Sequence, residues 1–294
     1  INSYSNINTP AIYSLMDQKG ESIRVLQDNT ELKHKIQEYG FAKNEFFKFT
    51  TSEDIELEGY MIKPKDFDEN KSYPVFMYVY GGPESQNVKD QFSHRNPWFQ
   101  YLTQQGYIVA CVDNRGTNAR GEEFRKSTYM QLGNLETIDQ IEAAKYLGRL
   151  NYIDSERIGI FGWSYGGYMS LSCLFKASDV FKMAISVAPV TNWRYYDTIY
   201  TERFMRTPQE NAEGYDQNSP INFVDGMKGK LLLIHGMGDD NVHFQNSTEL
   251  VKALIDANKQ FDMQFYPNKN HNIRGGNTSY HLYKKMSEFV IENL

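Results

Sequence analysis

Gly162-Trp163-Ser164-Tyr165-Gly166 puts a serine between two glycines in the spacing G-x-S-x-G. The apolar run Ile158 to Phe161 leads into it and a stretch rich in small residues follows, so the serine falls on a strand-to-helix turn. Such a turn holds the serine in a strained backbone conformation with its hydroxyl exposed as a nucleophile. Glycines flank it because side chains there would collide with the strand and the helix. The same geometry leaves the amide of Tyr165 at a helix N-terminus, ready to donate to an oxyanion.

A serine of this kind needs a base and an acid, and the α/β-hydrolase fold takes them in the chain order serine, acid, histidine. Candidate acids follow the apolar strand Leu231 to Ile234, in His235-Gly236-Met237-Gly238-Asp239-Asp240-Asn241. Loops at the carboxyl ends of strands are where open α/β sheets place their sites. Asp239 is the first choice and Asp240 the second, since periodicity does not separate neighbours. Of the six histidines, His243, His271 and His281 follow the acid. His271, in a polar loop after the strand Asp262 to Tyr266, is expected to be the base. His243 is too near Asp239 and begins a helix, and His281 falls inside the last helix. His271 would take the Ser164 proton and hand it to the leaving group, with Asp239 fixing its tautomer. Ser164 would carry an acyl-enzyme that water clears. A second oxyanion donor is expected from Tyr80-Gly81-Gly82-Pro83, either the Tyr80 hydroxyl or the glycine-rich backbone.

These residues need a sheet to hold them, and the sequence spells one out from Tyr73 onward. Apolar strand-sized runs (73–80, 107–112, 157–161, 182–187, 230–234, 262–266) alternate with helical segments (97–105, 135–147, 164–175, 245–257, 280–293). Strand and helix in repetition imply a mostly parallel sheet covered on both faces. In the helix 135–147, Ile138, Ile141, Ala144 and either Tyr146 or Leu147 fall near one face, which predicts the buried side. Residues 192–228 are aromatic-rich without a clean strand and predict a helical excursion over the carboxyl end of the sheet. Residues 11–25 and 45–62 alternate as β-hairpins do, with Asp17-Gln18-Lys19-Gly20 as a turn.

Composition narrows the function classes. Of 294 residues 40% are hydrophobic, enough for a large core. A net charge of -6 argues against a nucleic-acid binder. Cys111 and Cys173 sit in apolar runs and read as buried thiols, with no disulfide framework and no metal-ligand spacing. No metal and no organic cofactor are expected. Asn246 and Asn277 match N-x-S/T weakly. The start at Ile1, without a methionine, suggests numbering from within a longer polypeptide.

Three segments together carry a resemblance: Gly162 to Tyr168, His235 to Phe244, and Tyr195-Tyr196-Asp197 with Tyr200-Thr201-Glu202-Arg203. They resemble the prolyl oligopeptidase family of serine peptidases, in its dipeptidyl peptidase branch. The resemblance implies Ser164, Asp239 and His271 as the triad, and a Tyr80 hydroxyl joining the Tyr165 amide in the oxyanion hole. It implies a pocket of Tyr165, Val190, Trp193, Tyr196, Tyr200 and Val242 for proline at the penultimate substrate position. Asn241 would hold the carbonyl of the substrate's first residue. Without the resemblance, that aromatic cluster would read as core packing. The family further implies a β-propeller before the hydrolase, supplying a glutamate pair and an arginine for the substrate's amino end. Residues 1–45 would be its last strands and residues 46–294 the hydrolase. The expected activity is release of Xaa-Pro, and less well Xaa-Ala, dipeptides from peptide N-termini. Homodimerisation and a place outside the cytoplasm follow from the resemblance alone. The rivals are a prolyl tripeptidyl or acylaminoacyl peptidase of the same family, a carboxylesterase on the same fold, and an inactive binding protein.

Overall fold

Runs such as Val75-Phe76-Met77-Tyr78-Val79 have no polar face, so they must be covered on both sides. The structure, a computed structural model, describes residues 1–93 and 96–294, leaving His94 and Arg95 outside the description. Its central sheet is built from β4 (Asn44–Thr50), β5 (Glu56–Ile62), β6 (Tyr73–Val79), β7 (Ile108–Asp113), β8 (Ile153–Trp163), β9 (Met183–Val187), β10 (Lys230–Gly236) and β11 (Asp262–Tyr266). The order across it is β4-β5-β7-β6-β8-β9-β10-β11. β4 pairs with β5, and β5 with β7, antiparallel; the later pairings are parallel.

Alternate residues of each strand feed two separate cores. Val75, Met77 and Val79 pack on one face, with Ala143 and Leu147 of α4 (Asn134–Gly148), Leu171 of α5 (Tyr165–Lys176) and Leu250 of α8 (Gln245–Asp256). Phe76 and Tyr78 pack on the other, with Phe99 and Leu102 of α2 (Asn96–Gln104) and Leu282, Met286 and Phe289 of α9 (Thr278–Asn293). This is the mostly parallel, two-sided α/β sheet expected from the repeated strand and helix.

The N-terminal residues form a second sheet, β1 (Asn2–Asn6), β2 (Thr9–Met16) and β3 (Ser22–Gln27), antiparallel throughout. The turn Asp17 to Gly20 joins β2 to β3, with Gly20 at φ 83°. Helix α1 (Thr30–Glu38) follows and buries none of its residues.

Two features depart from the sequence-based expectation. β1 and α1 carry no apolar pattern, because their backbone is paired while their side chains face solvent. In α4, the buried residues are Glu136, Thr137, Asp139 and Gln140 with Ala143, Ala144 and Leu147, while Ile138 and Ile141 are half-buried. The first half of that helix therefore turns its polar side inward. Fixed partners make this tolerable. Arg115 holds Asp139 through Nε at 3.1 Å and Nη2 at 2.7 Å, and Gln140 donates to the Val112 carbonyl at 2.9 Å.

The segment between β9 and β10 contains a 3₁₀ turn (Trp193–Tyr195), α6 (Thr198–Met205), α7 (Ala212–Gln217) and a second 3₁₀ turn (Pro220–Gly226). This matches the helical excursion expected over residues 192–228.

Candidate active site

β8 ends at Trp163 and α5 begins at Tyr165, leaving Ser164 alone in the turn at φ 62° and ψ -119°. A serine at positive φ is strained, and the surroundings must hold it there. Its amide donates to the Val187 carbonyl at 2.8 Å, and its carbonyl accepts from the Tyr168 amide at 3.0 Å. The glycines are required by crowding. A Cβ on Gly162 would lie 2.1 Å from the Gly166 carbonyl oxygen, and one on Gly166 would lie 2.2 Å from that of Val79. Both obstacles are backbone, which has nowhere to go.

The parallel strands deliver the other groups to the same end of the sheet. Tyr80 follows β6, Asp239 follows β10 and His271 follows β11. Ser164, Tyr80, His271 and Asn241 line one cavity of about 310 Å³. His271 Nδ1 lies 2.7 Å from Asp239 Oδ2. Of the two adjacent carboxylates, Asp239 is the one that meets the imidazole; Asp240 is exposed. Trp163 Nε1 donates to the His271 carbonyl at 3.0 Å and pins the loop that carries the ring. His243 is exposed, and His281, on α9, meets the Tyr266 hydroxyl at 2.9 Å.

The Asp239 side chain has no solvent exposure. Burial by itself would raise its pKa. Hydrogen bonds from His235 and His271, and the His271 charge, outweigh that and hold the carboxyl far below the ordinary carboxylate range. Two backbone amides, of Asn241 at 2.9 Å and Val242 at 3.0 Å, close on Oδ1. An anionic acid beside a tautomer-fixed imidazole is what general-base work at a serine requires.

The loop after β6 is held from two sides. Asn114 Nδ2 donates to the Gly81 carbonyl at 3.0 Å, and Gln140 of α4 donates to Asn114 Oδ1 at 3.0 Å. Gly81 sits at φ 75° with Asn114 Oδ1 where a Cβ would be, 2.6 Å away. A Cβ on Gly82 would press on the Tyr165 ring at 2.9 Å and the Tyr80 ring at 3.0 Å. The two rings stand 6.1 Å apart, centre to centre. These contacts draw Tyr80 toward the start of α5.

Tyr165, Trp193, Tyr196 and Tyr200 form a continuous aromatic wall. Trp193 lies 5.7 Å from Tyr165 and stacks on Tyr200 at 6.4 Å, and Tyr196 meets Tyr200 edge-on at 5.3 Å. Val190 and Val242 are buried in the same core. The Tyr196 hydroxyl donates to Asn241 Oδ1 at 2.7 Å, linking the wall to the loop that carries Asp239. Asn246 of α8 is fully buried and bonds the Thr191 amide through Oδ1 at 2.9 Å. That fixes the strand-to-turn passage from Val190 to Trp193, and it gives this asparagine a packing role instead of a surface one.

A family model described as the prolyl oligopeptidase family matches residues 91–294. The chain belongs to the prolyl oligopeptidase family. Prolyl endopeptidase FAP of Homo sapiens is 40% identical over 274 residues, covering 92% of this chain and 36% of that protein. Dipeptidyl aminopeptidase B of Saccharomyces cerevisiae is 41% identical over 294 residues, covering 97% of this chain and 35% of the relative. The solved structure of Porphyromonas gingivalis dipeptidyl peptidase 4 superposes with a TM-score of 0.97 at 49% identity, over 100% of this chain and 42% of that one. The chain thus spans little more than a third of the length of these curated relatives. For this prolyl oligopeptidase-family chain the α/β-hydrolase architecture follows from both the matching structure and the sheet order.

Two buried polar residues at the site went unassigned from sequence. One is His235, which touches Asp239. The other is Glu136, fully buried beneath the aromatic wall, which accepts from the Tyr165 hydroxyl at 2.8 Å and the Gly133 amide at 2.8 Å. An acidic residue at the start of a helix ordinarily reads as solvated, and only its contact with Tyr165 tells otherwise.

Burial pushes the Glu136 carboxyl up to about 7, against hydrogen bonds that lower it. Its native pKa exceeds the unfolded value of 4.5, so the group favours folding fully below the unfolded value. That contribution fades as pH rises towards about 7, and its size is on the order of 3 kcal/mol. Glu136→Gln mimics the protonated acid. The melting temperature of the variant relative to wild type is therefore expected to rise between about pH 5 and about pH 8. Thermal melts of both proteins at the two pH values check it; a constant gap would assign the loss to other groups.

Proposed function

We propose that the protein is a serine exopeptidase releasing Xaa-Pro, and less well Xaa-Ala, dipeptides from the N-termini of peptides. The observation that carries this is the Asp239–His271 contact of 2.7 Å, with His271 opening on the same cavity as Ser164, beside a wall of four aromatic rings.

In the proposed reaction His271 takes the Ser164 hydroxyl proton as the oxygen attacks the scissile carbonyl. Asp239 keeps the Nδ1 proton in place and stabilises the imidazolium. The Tyr165 amide and the Tyr80 hydroxyl receive the oxyanion. His271 then protonates the departing amine, and water, deprotonated by the same ring, clears the acyl-enzyme. A pyrrolidine ring is compact and apolar, and aromatic faces select it by shape. Asn241, tied to Tyr196, is assigned to the carbonyl of the substrate's first residue.

Residues 1–45 we read as the end of a β-propeller, a reading favoured by β1, β2 and β3 forming a sheet apart from the central one; α1 follows them, and β4, from Asn44, already belongs to the central sheet. The propeller would hold the substrate's free amine. The names dipeptidyl aminopeptidase B and dipeptidyl peptidase 4 favour a dipeptidyl cut, and the name prolyl endopeptidase FAP favours a peptide substrate and proline. Homodimerisation and an extracytoplasmic location complete the proposal; among the described residues no helix is long and apolar enough to cross a membrane.

The test compares Gly-Pro and Ala-Ala-Pro chromogenic substrates, and a long-chain acyl ester, on the full-length protein. Faster cleavage of Gly-Pro is expected. Preference for the tripeptide would replace the dipeptidyl reading, and ester hydrolysis without peptide cleavage would replace the peptidase reading.

A further inference from the structure

His235, next to last in β10, lies four residues before Asp239, and its side chain has no solvent exposure. Its Nε2 lies 3.1 Å from Asp239 Oδ2 and 2.9 Å from the Val242 carbonyl. Both neighbours are acceptors, which assigns the ring proton to Nε2. Nδ1 lies 2.7 Å from the hydroxyl of Ser247, on α8, and so accepts from it. Phe244 meets the ring edge-on at 5.6 Å. The imidazole therefore has one orientation and one tautomer, each set by contacts from a different element.

Asp239 Oδ2 is shared by two imidazoles, one opening on the cavity and one sealed in the core. We infer that His235 is a positioning residue, which orients the Asp239 carboxylate and draws charge from the oxygen that His271 uses. This rests on the reading of Asp239 and His271 as acid and base. The buried donor acts in two ways. It occupies a lone pair that would otherwise let the carboxylate rotate away from His271. It also tempers the basicity of Oδ2, so that the His271 imidazolium is held firmly enough to form and loosely enough to release its proton. Of the other titratable groups, Tyr196 lies near Asp239, Tyr80, Arg274 and Tyr283 line the cavity on which His271 opens, and Asp240 is exposed. The His235 ring itself bonds Ser247, Asp239 and the Val242 carbonyl.

The experiment uses the full-length protein with His235→Leu, His235→Gln and Ser247→Ala. His235→Leu is expected to lower kcat about ten- to a hundredfold, the usual range for a lost hydrogen bond to a charged group, with KM little changed. Because Oδ2 then carries more charge, the acidic limb of the kcat/KM profile moves to higher pH. His235→Gln, whose amide NH₂ reaches the same place, restores most of both. Ser247→Ala produces a smaller change of the same sign, and it serves if the leucine variant does not fold. The downfield proton resonance of the Asp239–His271 hydrogen bond should shift in His235→Leu and return in His235→Gln. Equal losses in the leucine and glutamine variants, with the acidic limb and the resonance unmoved, would leave His235 a packing residue and overturn the inference. A wild-type protein that cleaves no peptide would instead overturn the reading of the site, while the resonance would still report whether His235 acts on Asp239.

Discussion

Ser164→Ala is expected to leave a folded protein whose kcat/KM on a Gly-Pro substrate is lower by on the order of 10⁶. The fold should survive because alanine keeps the Cβ and loses only the hydroxyl. The turn is secured by backbone groups, the Ser164 amide to Val187 and its carbonyl to Tyr168, which the substitution leaves in place. The strain at φ 62° is the same for both residues, so the melting temperature should barely move. What disappears is the covalent route. On the proposed mechanism the oxyanion donors and substrate contacts remain, and they would support a residual rate roughly 10³–10⁴ above water. Steady-state kinetics on purified variant and wild type check the loss, and mass spectrometry after an organophosphonate checks the site of reaction. Activity above roughly 1% of wild type, or an adduct that persists in the variant, would put the nucleophile elsewhere.

The elements that hold Ser164 were legible because parallel strands buried on both faces leave a plain mark. Val75 to Val79 and Leu231 to Ile234 are unbroken apolar runs, and the two-sided core is their direct cause. The helical excursion was legible through its aromatics, since Trp193, Tyr196 and Tyr200 occupy no regular strand period. β1 and α1 were not legible. Their order comes from backbone pairing and turn geometry, as with Asn29 at φ 52° ahead of α1, and hydropathy does not record either.

The site divides along a similar line. Ser164, Asp239 and His271 are separated by long stretches of chain, but each follows a recognisable strand, so topology alone brings them and Tyr80 to one edge. Asp239 and Asp240 are indistinguishable by period, and only the fold of their loop turns one to His271 and the other to solvent. Buried polar partners were the hardest to see. Glu136, Asp139 and Gln140 would be a solvent face on any isolated helix, and they are interior only because Tyr165, Arg115 and Asn114 come to them from other elements. His235 had a signal, a histidine four residues from the acid, but nothing in the spacing says that its ring points inward.

Tyr80→Phe is expected to lower kcat by about 10²–10³ with little change in KM. The tyrosine ring is itself part of the site's packing, lying against Tyr165 across the gap that Gly82 leaves open, and phenylalanine preserves that contact. Only the hydroxyl is lost. On the proposed mechanism that hydroxyl meets the substrate oxygen as charge develops on it, so its contribution appears in the tetrahedral intermediate and hardly at all in the bound ground state. A loss confined to kcat is the signature of such a group; a loss in KM would mean that Tyr80 merely binds. The competing donor would be a backbone amide of the glycine turn, whose Gly82 lies against the Tyr80 and Tyr165 rings. If that amide supplied the second hydrogen bond, Tyr80→Phe would cost less than about tenfold, and the loop held by Asn114 and Gln140 would become the oxyanion site. Measuring kcat and KM separately for wild type and variant on the Gly-Pro substrate decides between the hydroxyl and the backbone.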